Sequence, residues 1–162
     1  MIGIAIRRGV VLLLLVMPFG ALAQNSLQEF DATSLAKIKN ALIGRPFVLA
    51  LWSVHCAPCR EDLPRWSELR RKYPDTAILL VAADTPEERA TISSILSRYE
   101  MGGVELYAFA DTFTERIRYA VDRKWQGELP RTYLYDANHL AQAHSGTIKQ
   151  EKLEAWIKRQ GR

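Results

Sequence analysis

The strongest constraint on this chain is one uninterrupted stretch, Phe47-Val-Leu-Ala-Leu-Trp-Ser-Val-His-Cys-Ala-Pro-Cys-Arg-Glu-Asp-Leu-Pro64. It opens as a short apolar run suited to a buried strand, meets Cys56-Ala57-Pro58-Cys59, and then turns amphipathic. Two thiols separated by two residues, at the joint between a strand and a helix start, point to redox chemistry. A purely structural disulfide is the alternative. It would close so small a loop that its chain-entropy gain is about 2 kcal/mol. A chain of 162 residues can bury a sizeable core and has little need of so weak a staple.

The motif also carries its own activation chemistry. The nucleophile in thiol exchange is the thiolate, so the site has to lower one thiol pKa. Cys56 falls at a helix N-terminus, where unpaired N–H groups and the helix dipole favour negative charge. Pro58 fits the first turn, since no intrahelical bond is lost there. Cys59 lies one turn on, on the same side, placed to resolve a mixed disulfide. Asp62 shares that helix side and is a candidate proton acceptor for Cys59, with a solvated helix residue as the plain alternative. His55 is a candidate stabiliser of the Cys56 thiolate; an exposed rim position pointing away from the thiol is the favoured reading.

Met1 to Ala23 has the layout of a secretory signal peptide: Arg7-Arg8, an apolar run from Val10 to Val16, and Ala21-Leu22-Ala23 before Gln24. The run is shorter than the roughly 20 residues that span a bilayer, which disfavours an uncleaved anchor. The expectation is a signal peptide over 1–23 and one domain over 24–162, exported or periplasmic and soluble after cleavage. Without Arg7 and Arg8, 20 basic residues face 18 acidic ones, so the formal +4 falls to near +2. That excess is small and scattered, which argues against nucleic acid as a partner. Apolar residues at 48% and charged residues at 25% describe an ordinary globular chain, not a disordered one.

Hydrophobic periodicity predicts helices over Asp31–Ile43, Ala57–Tyr73, from Thr85 to about Tyr99, over Thr112–Val121, and from Thr147 onward. Thr85, Thr112 and Thr147 read as helix caps, the first two as capping boxes. Pro64 is expected to kink the second helix without ending it. Strands are predicted over Phe47–Ser53, Ala77–Ala83, Val104–Phe109, Arg131–Tyr135 and His139–His144, the last pair as an antiparallel hairpin. Asn25 to Phe30 carries little pattern, and Trp125 to Leu129 reads as loop. Trp66, Trp125 and Trp156 read as core or rim aromatics. Strands alternating with helices and closed by a hairpin and a helix give an α/β sandwich.

With CxxC at a strand–helix joint, Leu129-Pro130 well downstream and a terminal hairpin and helix, the chain resembles the thioredoxin superfamily. Gly44-Arg45-Pro46 before a strand, Trp52 four residues before Cys56, and Cys56-Ala-Pro-Cys-Arg-Glu-Asp-Leu-Pro64 resemble its exported TlpA/ResA-like branch. The resemblance covers roughly Gly44 to Ile157. It implies a thioredoxin-like three-layer sandwich, a mixed central sheet with helices on both faces, and a βα insertion around Val104 to Val121. It further implies that Cys56 attacks, Cys59 resolves, Pro130 is held in cis beside the dithiol, and Trp52 packs below the site. Composition alone would leave Pro130 an ordinary trans loop proline.

Two departures from the family pattern stand out. Ala50 occupies the place, six before Cys56, where thioredoxins keep a buried acid, and His55 stands where many relatives have Trp. Asp62 takes a position where the branch often has an acidic residue.

The function implied is an exported thiol–disulfide oxidoreductase acting on protein thiols and disulfides with an external redox partner. Reductase work is favoured, of the type that serves cytochrome c maturation or a copper site. No cofactor or resident metal is called for. Membrane contact would come only through an electron-donor partner or an uncleaved signal segment, and the expected state is a monomer. The alternative class is a Cu(I)-binding module using Cys56, Cys59 and His55. Zinc is disfavoured, because the remaining His139 and His144 sit far along the chain.

Overall fold

The computed structural model describes residues 26–161. The predicted signal peptide and the first residues of the expected mature chain lie outside the described residues. Among these residues strands and helices alternate as six strands and five α-helices in the order β1, α1, β2, α2, β3, α3, β4, α4, β5, β6, α5. The strands are β1 (Gln28–Phe30), β2 (Phe47–Trp52), β3 (Ala77–Ala82), β4 (Glu105–Phe109), β5 (Arg131–Tyr135) and β6 (Ala141–Ser145). The helices are α1 (Ser34–Ala41), α2 (Ala57–Lys72), α3 (Arg89–Leu96), α4 (Thr114–Val121) and α5 (Gln150–Gln160).

All six strands form one mixed sheet ordered β1-β4-β3-β2-β5-β6. β1, β4, β3 and β2 run parallel, whereas β5 is antiparallel to β2 and β6 to β5. β2 is buried at every position, as a strand covered on both faces must be. Its alternate side chains divide between two cores. Val48, Ala50 and Trp52 join Leu63, Trp66 and Leu69 of α2, Ile92 and Leu96 of α3, and Leu153, Trp156 and Ile157 of α5. Phe47, Leu49 and Leu51 join Leu35 and Ile38 of α1 and Ile117 of α4. Helices therefore cover both faces, and the architecture is the thioredoxin-like sandwich expected from the sequence. β4 and α4 are the βα unit anticipated over residues 104–121.

Several local expectations need correction. β1, read as patternless, pairs in parallel with β4 through Gln28↔Tyr107, Glu29↔Ala108 and Phe30↔Phe109. Its anchor is Phe30, whose ring meets Tyr107 edge-on at 5.9 Å and stacks on Phe109 at 6.1 Å. The predicted threonine caps do not form: α3, α4 and α5 begin after Glu88, Phe113 and Lys149 with no side-chain cap. Before α3 the chain first makes a 3-10 turn over Pro86–Glu88, and before α4 the Phe113 N–H donates to Asp111 Oδ1 at 2.9 Å. α1 starts later than predicted because Asp31 forms a turn of its own. Its Oδ1 accepts from the Thr33 N–H and hydroxyl and from the Ser34 hydroxyl, which holds the Asp31 carboxyl far below its ordinary range. The closing strand begins at Ala141 because His139 adopts φ 59° in the hairpin turn. α2 runs through Pro64 as a single helix.

Candidate active site

Three strand ends converge on one edge of the sheet. Trp52 at the end of β2 lies level with Ala82 at the end of β3, and the Ala83 N–H donates to Trp52 O at 2.8 Å. On the other side Leu51 faces Arg131, the first residue of β5. One register step further sets Pro130 level with Trp52. The loop from Ser53 to Cys56, the segment after β3 and the Pro130 turn thus meet at the carboxyl ends of the parallel strands, where open α/β sheets build their sites.

Cys56 is the N-cap of α2, with extended backbone (φ −98°, ψ 100°). The Cys56 N–H donates to Ser53 O at 3.1 Å, and its carbonyl accepts the first helical bond, from Arg60 N–H at 3.2 Å. Its Sγ accepts from the Cys59 N–H at 3.3 Å, so an orphan donor of the helix terminus points at this sulfur. Cys56 and Cys59 are joined as a disulfide with Cα atoms 5.2 Å apart. Cys56 is partly exposed, while Cys59 is 1% exposed and packed in the core with Leu63. The two residues are therefore unequal: Cys56 is in part open to solvent, and Cys59 is enclosed.

Asp62, three residues beyond Cys59, is half-buried and pairs through Oδ2 with Arg65 Nη2 at 2.7 Å. Arg65 also donates to Ile148 O, tying α2 to the segment before α5. Burial pushes the Asp62 carboxyl above its ordinary value; Arg65 opposes that shift and Glu61 adds to it. His55 lies on the rim with its ring 73% exposed and its Nε2 3.1 Å from Glu88 Oε1. It faces the turn after β3. Trp52 is buried in the core beneath the loop, and its indole Nε1 finds no acceptor among the described residues. Ala50 is 3% exposed in the same core, so the buried acid of thioredoxins has no counterpart at this position.

The Leu129–Pro130 peptide is cis, and the Pro130 carbonyl accepts from the Gly146 N–H at 2.8 Å. The turn before it is braced by Trp125 Nε1, which donates to Glu128 O at 2.9 Å. Arg131 adds ion pairs to Glu128 at 2.8 Å and Asp122 at 3.2 Å. A shallow cleft lined by Ala57, Arg60, Glu61, Ile95, Arg98 and Tyr99 opens beside the first turn of α2.

Asp84 was not singled out from the sequence. It is 7% exposed, accepts the Ser53 hydroxyl at 2.6 Å through Oδ1 and the Val54 N–H at 3.1 Å through Oδ2. Ser53 Oγ in turn accepts the His55 N–H at 3.0 Å. The available signal was topological: in a parallel pair, a residue just after β3 sits beside the loop just after β2.

Among the described residues no group of three or more His, Cys, Asp or Glu side chains is arranged to hold a metal ion. His139 and His144 each direct Nε2 to a backbone carbonyl, Leu42 O at 3.0 Å and Thr147 O at 3.4 Å. No helix among the described residues is long and apolar enough to cross a membrane.

No family model matches the chain. Among curated proteins it is similar to the thioredoxin-like protein YneN of Bacillus subtilis, 24% identical over 78% of this chain and 73% of that protein. It is also similar to the thiol-disulfide oxidoreductase ResA of Bacillus cereus, 25% identical over 73% of this chain and 65% of the relative. The chain thus spans about two thirds of the length of such relatives. Among solved structures, a secreted Mycobacterium tuberculosis disulfide oxidoreductase homologous to E. coli DsbE superposes with a TM-score of 0.58. It is 21% identical, with 74% of this chain and 85% of that one covered. A thioredoxin-family thiol:disulfide interchange protein from Chlorobium tepidum gives a TM-score of 0.61 at 14% identity, covering 75% and 83% of the two chains. A partly exposed cysteine capping a helix, its buried partner one turn on, this sheet order and these relatives agree: the chain has the thioredoxin-like fold and is similar to thiol–disulfide oxidoreductases of the TlpA/ResA-like type.

Proposed function

We propose that this chain is an exported reductase of protein disulfides, with Cys56 as the attacking and Cys59 as the resolving cysteine. The observation that carries this reading is the inequality of the two sulfurs at the start of α2, one partly exposed at the N-cap and one buried. In the reduced protein the Cys56 thiolate attacks one sulfur of a substrate disulfide. The substrate S–S bond breaks, one substrate sulfur leaves as thiolate and takes a proton, and a Cys56–substrate disulfide forms. Cys59 then loses its proton, attacks Cys56 Sγ and expels the second substrate thiolate. Two electrons have passed to the substrate, and the protein is left with the Cys56–Cys59 disulfide. An external dithiol must return two electrons to complete the cycle.

Asp62 is assigned the proton of Cys59. Its raised pKa supports that role, since a general base works best when its pKa lies closer to the working pH. Pro130 supplies a backbone edge beside the dithiol with no N–H of its own, against which an extended substrate segment can pair. Trp52 underlies the loop, and His55 is a rim residue tied to Glu88. Reductase direction is supported by the size of the βα unit between α3 and β5, whose helix α4 has 8 residues, short of the long helical insertion of general oxidases. Export is supported by the signal-like segment over residues 1–23, which leaves residues 24–162 as the mature domain. Reductase work on thiols of cytochrome c maturation or of a copper site fits this reading.

The test is insulin reduction by the mature chain with Cys56→Ser as control, together with the dithiol potential in a glutathione series. The reading predicts turnover that the serine variant lacks, and a potential more negative than that of glutathione. An inactive parent whose thiols instead bind Cu(I) tightly would overturn it.

A further inference from the structure

Asp84 is a buried acid bonded directly to the loop ahead of Cys56, and the mechanism above makes no use of it. It lies just after β3, and it holds three consecutive residues ahead of Cys56: Ser53 and Val54 directly, and the His55 N–H through Ser53 Oγ. Its donors are a neutral hydroxyl and a neutral amide, and among the described residues no cation pairs with it. Such bonds cost most when one partner is removed and the other is left buried and unpaired. The arrangement therefore fixes loop geometry and also places a negative charge a few residues from the attacking sulfur.

We propose that Asp84 is a positioning residue for the dithiol, which locks the Ser53–His55 loop by hydrogen bonds and restrains the reactivity of Cys56 by its charge. This rests on the reading of Cys56 as the attacking cysteine. A carboxylate on this side of the loop disfavours the thiolate, opposing the pull of the helix terminus. A less stable thiolate means a less stable reduced form, and so a more reducing dithiol. Asp84 thereby supplies from β3 a buried charge that Ala50 leaves missing on β2. The other charged groups around the loop are the His55–Glu88 pair, Arg60 and Glu61 on α2, the Asp62–Arg65 pair, and Arg131 with Asp122 and Glu128 beside Pro130. All of them stay in place when Asp84 alone is changed.

Asparagine separates geometry from charge. Its Oδ1 can accept the Val54 N–H while its Nδ2 donates to Ser53 Oγ, which keeps a lone pair for the His55 N–H. In the reduced full-length mature protein, Asp84→Asn should lower the Cys56 pKa, read by ultraviolet thiolate absorbance, by about one unit. The dithiol potential should become less negative. Asp84→Ala should lose on the order of tenfold or more in insulin turnover and turn over more slowly than the asparagine variant. Ser53→Ala keeps the charge and breaks the hydroxyl bridge. It should slow turnover with the thiol titration near that of the parent, and it decides the geometric half if Asp84→Ala does not fold. An asparagine variant that titrates like the parent, or a Ser53→Ala protein with the parent's rate, overturns the proposal. An inactive parent would instead count against the assigned function, while the thiolate titration still decides the charge effect.

Discussion

At the scale of residues, the site is a contest between groups that favour a thiolate and groups that oppose it. The N-terminus of α2 favours charge on Cys56, and burial disfavours it on Asp62. The raised Asp62 pKa has a consequence for both rate and stability. In the role proposed for it the carboxylate must be ionised to take the Cys59 proton, so the resolving step should speed up as pH rises through that raised value. In Asp62→Asn this limb of the pH profile should vanish in single-turnover measurements; a profile matching the parent would remove Asp62 from the proton path. For stability the folded pKa is raised above the ordinary 3.8. The parent's contribution is thus complete below that value and lost as pH rises through the folded pKa. The asparagine variant should gain on the parent between acid and neutral pH in denaturant melts. A local motif or the family resemblance marks Cys56, Cys59, Asp62 and Pro130 in the sequence, and the structure joins Cys56 to Cys59 as a disulfide and sets Leu129–Pro130 in cis. Nothing in the sequence marks Asp84, because its place beside the loop depends on which strand ends meet, and a local pattern carries no such information.

At the scale of elements, strands and helices with a continuous or periodic apolar face were readable, and short or polar ones were not. β2 and β3 announce themselves as apolar runs buried almost throughout. β1 is three residues with a single buried side chain, Phe30, too short for any alternation to register. The threonine caps failed for a related reason: Thr–x–x–Glu and similar patterns mark a helix start only when the backbone enters at that residue. Here a 3-10 turn after Thr85 and the Asp111 side chain at Phe113 move the starts onward. β1 is nevertheless energetically real. Phe30 is 1% exposed and holds the sheet edge through two aromatic contacts. Phe30→Ala should destabilise the fold by about 3 kcal/mol in urea melts, with insulin turnover per folded molecule retained because β1 lies beyond β4 and β3 from the dithiol. A loss below about 1 kcal/mol would mean that β1 is an ornament on the sheet rather than part of it.

At the scale of the molecule, two cores on either side of one mixed sheet hold three strand ends at a common edge. The class of fold followed from alternating strands and helices closed by a hairpin. The strand order β1-β4-β3-β2-β5-β6 did not, since periodicity says which face a residue takes and not which strand is its neighbour. That order is what brings together the loop after β2 that leads to Cys56, Asp84 just after β3 and Pro130 just before β5. α2 starts at this edge, its cap is Cys56, and its first turn carries Cys59 into the core, which is the asymmetry that the proposed direction of attack uses. The most direct test is trapping of the mixed disulfide. With Cys59→Ser and a disulfide-bonded protein substrate, mass spectrometry should find a covalent adduct on Cys56 that dithiothreitol releases, while Cys56→Ser should form none. An adduct on Cys59 in the Cys56→Ser protein, with none on Cys56 in the other, would contradict the account.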